Sequence, residues 1–206
     1  MDVSDTFAAS RRSLHGVAEL LLAGPQHAAC AKIRLRPVAG GFGTCHAPDI
    51  RVEGTAVVAG DRHAEIDGRS ARELAEDLGI AACTLTHVYR EGSGVGLDDR
   101  LAVSAPDADQ VARTYASGDA ALRALAPDQT PILWPEHFDL GITLDEVNYG
   151  VSPGDAALAA PYMYVGPWRP PPVDDFWNQP FGAARDLPGS VDEVVAFFVE
   201  SRRRLS

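Results

Sequence analysis

The sequence predicts an α+β fold: an antiparallel sheet of about six or more strands, arranged as a meander and hairpins, with helices packed on one face. Several short segments alternate apolar and polar residues and are separated by tight turns, which is typical of antiparallel strands. Other segments repeat apolar residues at helical spacing. The chain has 206 residues, close to the size of one ordinary domain, so we predict a single domain over residues 1–206.

Four helices are predicted from spacing and from their end signals. Ser70 and Glu73 form a capping box before one short helix, and Ser190 and Glu193 form another before the last helix. Gly24 and Pro25 are expected to end the first helix. The predicted helices are 5–23, 70–78, 106–126 and 190–204.

The strands fall into two groups, a meander over 31–66 and central strands over 131–168. From Trp134 to Leu144 the alternation predicts one continuous strand, which places Glu136 on its apolar face. Asp145 and Glu146 are expected to turn this strand into a hairpin. An aromatic loop over 170–189 follows and begins with three prolines, which favour a stiff extended segment.

Composition and charge disfavour several classes of function. The chain has 18 basic and 29 acidic residues and a formal net charge of −11, which disfavours nucleic acid and anionic membranes as partners. The sequence has no apolar run of the roughly 20 residues that span a bilayer, and its first residues are acidic, so we expect a cytoplasmic protein. Three cysteines without Cys-x-x-Cys spacing indicate reduced thiols.

Glu136, His137 and Asp139 are the candidate catalytic residues. A carboxylate on an apolar face must be paired, protonated or in a cavity, and burial makes such a group a candidate acid or base. The alternative for Glu136 is a solvated position at the start of the strand, because Pro135 precedes it. His137 and Asp139 share the opposite face, where Asp139 could orient the histidine; the alternative is a solvated polar face.

Aromatic residues near these positions predict a ligand pocket. Asn178 lies between aromatic residues in the loop and is expected to supply a polar contact. The predicted ligand-binding residues are Tyr149, Tyr162, Tyr164, Trp168, Trp177 and Asn178.

Three functional hypotheses follow. The first is a small-molecule-binding protein, with or without catalysis by carboxylate and histidine acid–base chemistry in an aromatic-lined pocket. The second is a non-catalytic sensor or protein–protein interaction module with an acidic surface. The third is a metal site built from His137 and Asp139 with an upstream histidine. The sequence contains neither a phosphate-binding loop nor a dinucleotide fingerprint, so it names no cofactor. It also gives no indication of the oligomeric state.

Overall fold

The structure is a computed structural model that describes residues 5–205. By its internal contacts the chain forms two compact units. Unit 1 comprises Met1–Arg113 with Leu133–Phe138, and unit 2 comprises Thr114–Ile132 with Asp139–Ser206. The prediction of one domain over residues 1–206 stays a prediction.

Unit 1 contains an antiparallel sheet in the order β6-β1-β2-β3-β4-β5. Consecutive strands from β1 to β5 pair through short turns, as a meander does. Leu133 of β6 pairs with Leu35 of β1. The strands are β1 (Leu35–Val38), β2 (Gly41–Thr44), β3 (Ile50–Glu53), β4 (Ala56–Ala59), β5 (Arg62–Glu65) and β6 (Ile132–Trp134).

The helices of unit 1 cover this sheet. Helix α1 (Asp5–Val17) continues through a π-helix (Ala18–Ala23) into α2 (Gly24–Cys30). The π-helix packs against β2 and β3, and α3 (Ala71–Leu78) packs against β4 and β5. The capping box at Ser70 that was predicted for α3 is present. The core between helices and strands includes Leu14, Val17, Leu21, Leu22, Ile50, Val57, Ile66 and Leu74.

The first helix does not end at Gly24-Pro25, as the sequence predicted, but runs on to Cys30. Pro25 has no N–H for the carbonyl oxygen of Leu20, and that oxygen accepts the N–H of Cys83 instead at 3.0 Å. A Cβ on Gly24 would overlap the carbonyl oxygen of Cys83. Gly24 and Pro25, which normally stop a helix, therefore let the backbone at Cys83 pack closely against this helix.

Gln26, at the start of α2, is fully buried and uses its whole side-chain amide. Its nitrogen donates to the carbonyl oxygens of Lys32 and Arg34, both at 2.9 Å. Its oxygen accepts the backbone N–H groups of Cys45 and His46, both at 2.8 Å. One side chain thus replaces the missing backbone partners of two loops.

Unit 2 contains four antiparallel strands in the order β10-β9-β8-β7. Helix α4 (Ala105–Leu125) begins in unit 1 and continues in unit 2, and α5 (Val191–Leu205) packs against β9. Tyr149 and Phe198 meet edge to face in the core, with ring centroids 5.7 Å apart. The predicted aromatic loop contains a strand of its own, β10. The strands are β7 (Asp139–Leu144), β8 (Val147–Ser152), β9 (Tyr162–Pro167) and β10 (Ala183–Asp186).

The predicted fold class is confirmed: the fold is α+β, with antiparallel strands and helices packed against them. Among the helices of residues 5–205, none combines the length and the apolar content needed to cross a bilayer.

Candidate functional site

The predicted strand from Trp134 to Leu144 is interrupted, and this part of the prediction is wrong. β6 ends at Trp134 and β7 begins at Asp139. A turn lies between them, closed by the N–H of Phe138 donating to the carbonyl oxygen of Trp134 at 2.8 Å. Phe138 has a positive φ of 53°, which is strained for a side chain with a Cβ. Pro135 explains the break, because it has no N–H to offer to a sheet.

Glu136 and His137 therefore lie on this turn in unit 1 and not on a strand. His137 is exposed and Glu136 is half-buried. The Oε2 atom of Glu136 is buried and has no hydrogen-bond partner among residues 5–205. A buried acceptor without a donor costs about 1–3 kcal/mol, so Glu136 is the residue of this turn whose position requires an explanation.

His15, on α1, holds the turn. Its Nε2 lies 2.6 Å from the carbonyl oxygen of Pro135, and because a carbonyl only accepts, Nε2 must carry a proton and donate. The imidazole also stacks on Phe138, with centroids 5.0 Å apart and planes within 7°. Burial lowers the pKa of His15, against the opposing effect of Glu19, which favours the neutral ring at pH 7.

Glu19 is the second residue of the π-helix, one turn after His15, and is only 8% exposed. Its Oε1 accepts the hydroxyl of Tyr89 at 2.9 Å. Its Oε2 accepts the backbone N–H of Ser93 at 3.0 Å and also the Ser93 hydroxyl. Three donors satisfy this carboxylate, as a buried charge requires. π-Helical segments recur at functional sites.

The loop around Ser93 is hydrogen-bonded to α1. The Arg12 guanidinium donates to the carbonyl oxygens of Ser93 and Gly94, at 3.1 and 2.7 Å. The contact between this loop and Glu19 requires glycine at position 92, because a Cβ there would overlap the Oε1 atom of Glu19. The missing side chain of Gly92 lets the backbone come close enough for the N–H of Ser93 to donate to Glu19.

Tyr89 donates a hydrogen bond to one carboxylate of this cluster, Glu19, and is affected electrostatically by the other, Glu136. Burial first, and then the carboxylates of Glu19 and Glu136, raise the pKa of Tyr89 well above its usual value. The hydroxyl therefore keeps its proton and donates to Glu19. The cluster thus contains one carboxylate whose acceptors are filled and one, Glu136, with a buried oxygen that has no donor among residues 5–205.

His15, Glu19, Tyr89 and Ser93 were not predicted as site residues. The signal for the first two was present, because an ionisable pair at i and i+4 sits beside an otherwise apolar helical stripe. Tyr89 and Ser93 come from a segment whose local pattern gives no indication of what it contacts. Residues 83–90 form turns and irregular structure.

Asp139 belongs to unit 2, where its carboxylate accepts the hydroxyl of Tyr164. Burial and this carboxylate raise the pKa of Tyr164, so the hydroxyl stays protonated and donates. Tyr162 donates in the same way to Asp155 at 2.7 Å. The predicted role of Asp139 in orienting His137 stays a prediction.

The other predicted ligand-binding residues also lie in unit 2, in different environments. Tyr149 and Trp177 are buried in the core, whereas Trp168 is exposed. The side-chain oxygen of Asn178 accepts the N–H of Ala184 at 3.0 Å, which fixes the loop to β10. The aromatic pocket predicted from these residues stays a prediction.

Within residues 5–205, no group of three or more histidine, cysteine or acidic side chains is placed to hold a metal ion. This finding gives no support to a metal site at His137 and Asp139. The three cysteines are free thiols, and Cys30 and Cys45 are exposed.

Comparisons with protein-family models, with curated proteins and with solved structures find no match to this chain. The assignment of a function therefore depends on the geometry of the cluster in unit 1.

Proposed function

We propose that the protein binds a small organic molecule at the turn that carries Glu136, and that Glu136 exchanges a proton with this ligand. The single observation that carries the proposal is the buried Oε2 atom of Glu136, which has no donor among residues 5–205. A ligand N–H or O–H would provide that donor and remove the cost of the unpaired acceptor. Amines, amino alcohols and amino acids are the classes that fit.

The neighbouring groups support a division of roles. Glu19 is a poor candidate for proton transfer, because three donors already bind it. Tyr89 keeps its proton and remains a donor to Glu19. Glu136 can act as a general base toward a ligand proton. Two carboxylates with contrasting environments are a known way to separate an acid–base group from a supporting one.

His15 is a positioning residue in this proposal. It bonds the carbonyl oxygen of Pro135 and stacks on Phe138, the residues on either side of Glu136 and His137. The strained φ of Phe138 is maintained by these contacts. His137 is exposed on the same turn.

The test starts with a thermal-shift screen of the full chain against primary amines, amino alcohols and amino acids. A ligand at 100 times its Kd adds about 2.7 kcal/mol of stability, which raises the Tm of a chain of this size by about 5–10 °C. Binding of each hit is then measured with wild type, Glu136→Gln and the matched control Glu76→Gln, an exposed carboxylate on α3.

We expect Glu136→Gln to weaken binding at least tenfold and Glu76→Gln to leave it unchanged. A hit that binds Glu136→Gln as tightly as wild type would contradict the proposed site. The fate of the ligand, followed by NMR, separates the two forms of the proposal. Turnover by wild type but not by Glu136→Gln supports acid–base catalysis, and binding without turnover supports a non-catalytic sensor.

A further inference from the structure

We propose that unit 2 binds a second copy of this chain through a self-complementary surface. Its projecting half is the Trp168 segment, residues Trp168–Val173. Its receiving half is the Phe176 recess, formed by Asp174, Asp175, Phe176 and Arg204. This inference is independent of the site at Glu136.

The Trp168 segment exposes two large apolar side chains. Trp168 is 63% exposed and Val173 is 66% exposed, and three consecutive prolines between them restrict the backbone to an extended form. Both ends are anchored: the Trp168 N–H donates to the carbonyl oxygen of Glu146 at 2.9 Å, and the Asp174 N–H donates to that of Trp177 at 3.1 Å. A segment already held in this way loses little conformational entropy when it binds.

The Phe176 recess is a shallow, open depression with a volume of about 340 Å³. The guanidinium carbon of Arg204 lies 4.2 Å from the centroid of the Phe176 ring. The N–H groups of Trp177 and Phe176, with help from Arg204, lower the pKa of Asp174 and keep it ionised. The guanidinium carbon of Arg185 also lies over this ring, 5.3 Å from its centroid, and Arg204 is paired with Glu200. The recess therefore presents guanidinium groups stacked on a ring, with carboxylates beside them.

The two halves match each other chemically. An indole such as that of Trp168 packs favourably against a ring and a guanidinium, as in aromatic and cation–π pairs. Arg169, next to Trp168, is exposed and has no ion pair or hydrogen bond among residues 5–205, and the carboxylate of Asp175 also has none within that range. Arg169 of one copy is thus complementary to Asp175 of the other.

Both halves belong to one chain and adjoin each other at Val173 and Asp174. A two-fold interface, in which each contact occurs twice, requires both halves on every copy. Each buried aromatic side chain contributes roughly 150–250 Å², so the anchors alone give an interface below the about 1,200 Å² of a stable complex. We therefore expect a transient dimer with a Kd in the micromolar range.

The experiment is sedimentation equilibrium of the full chain at about 0.15 M salt, where screening over about 8 Å limits repulsion between two acidic chains. The concentration series brackets about 10 μM. We expect reversible dimerisation that Trp168→Ala weakens at least tenfold. The matched control is Val88→Ala, which removes an exposed apolar side chain, 41% exposed, from unit 1 and should leave the dimer unchanged.

A charge swap tests the orientation of the two copies. Arg169→Asp and Asp175→Arg should each weaken the dimer, and the double variant should restore it, because both ion pairs re-form with reversed sign. A wild-type chain that stays monomeric, or a dimer that Trp168→Ala leaves unchanged, would overturn the proposal. So would single charge variants that both weaken the dimer while the double variant fails to restore it.

Discussion

Replacing Glu136 by methionine should stabilise the protein. Residues kept for binding are often poor for stability, because they hold polar groups in unsatisfied positions. The Oε2 atom of Glu136 is buried without a donor among residues 5–205, a situation that costs about 1–3 kcal/mol. Methionine has a similar length and no acceptor of comparable strength, so it removes that cost and keeps most of the packing.

The expected gain of about 1–3 kcal/mol should appear in urea unfolding as a higher midpoint with an unchanged slope. In thermal unfolding it corresponds to about 2–4 °C for each kcal/mol in a chain of this size. The assay needs no ligand and no knowledge of the reaction, so it tests directly the free-energy cost of the unpaired Oε2 atom of Glu136.

Glu19→Met is the matched control, with the opposite expected sign. It leaves the hydroxyls of Tyr89 and Ser93 and one backbone N–H without their acceptor, and should cost at least about 2 kcal/mol. If Glu136→Met destabilises the protein by a similar amount, Glu136 supports the fold and the reasoning behind the proposed site is wrong.

Three further predictions concern stability. The pKa of His15 is lowered in the folded state, so the unfolded chain binds more protons at this residue. The free energy of unfolding should therefore fall as pH decreases below about 6.5. Unfolding measured across pH should show that His15→Gln flattens this dependence. Gly92→Ala should lower the free energy of unfolding by about 1–3 kcal/mol, because its Cβ overlaps Glu19. Gly189→Ala, where a Cβ meets open space, should leave it nearly unchanged. Equal effects of the two substitutions would contradict the close approach of Gly92 to Glu19. Gln26→Leu should cost about 2–5 kcal/mol, because it strips four backbone groups of their partner, and an unchanged urea midpoint would refute this.

The fold class was predictable because its signals are local. The capping box at Ser70 and Glu73 fixes the start of α3 within four residues. The meander in unit 1 follows from apolar alternation and short turns such as the one at Gly54, which has a positive φ of 58°. Each of these features is decided by residues a few positions apart, so one sequence suffices to find it.

The candidate site was predictable only in part. Glu136 was identified because it interrupts an apolar pattern, but the alternation continued through Pro135 and suggested a strand where the chain turns. Phe138, which has a positive φ, contacts His15 and Phe42, whose rings lie 5.0 and 5.4 Å away. Contacts between residues so far apart in the chain leave no trace in the local periodicity of the sequence.

The sequence by itself determined the secondary structure of most segments, the antiparallel class of the sheet and the presence of one anomalous carboxylate. Only the tertiary structure decided which carboxylate is satisfied. Glu19 receives its donors from Tyr89 and Ser93, which are 70 and 74 positions away in the chain. Hydrogen bonds between such distant residues depend on how the elements pack, and packing is a property of the folded chain that no local pattern encodes.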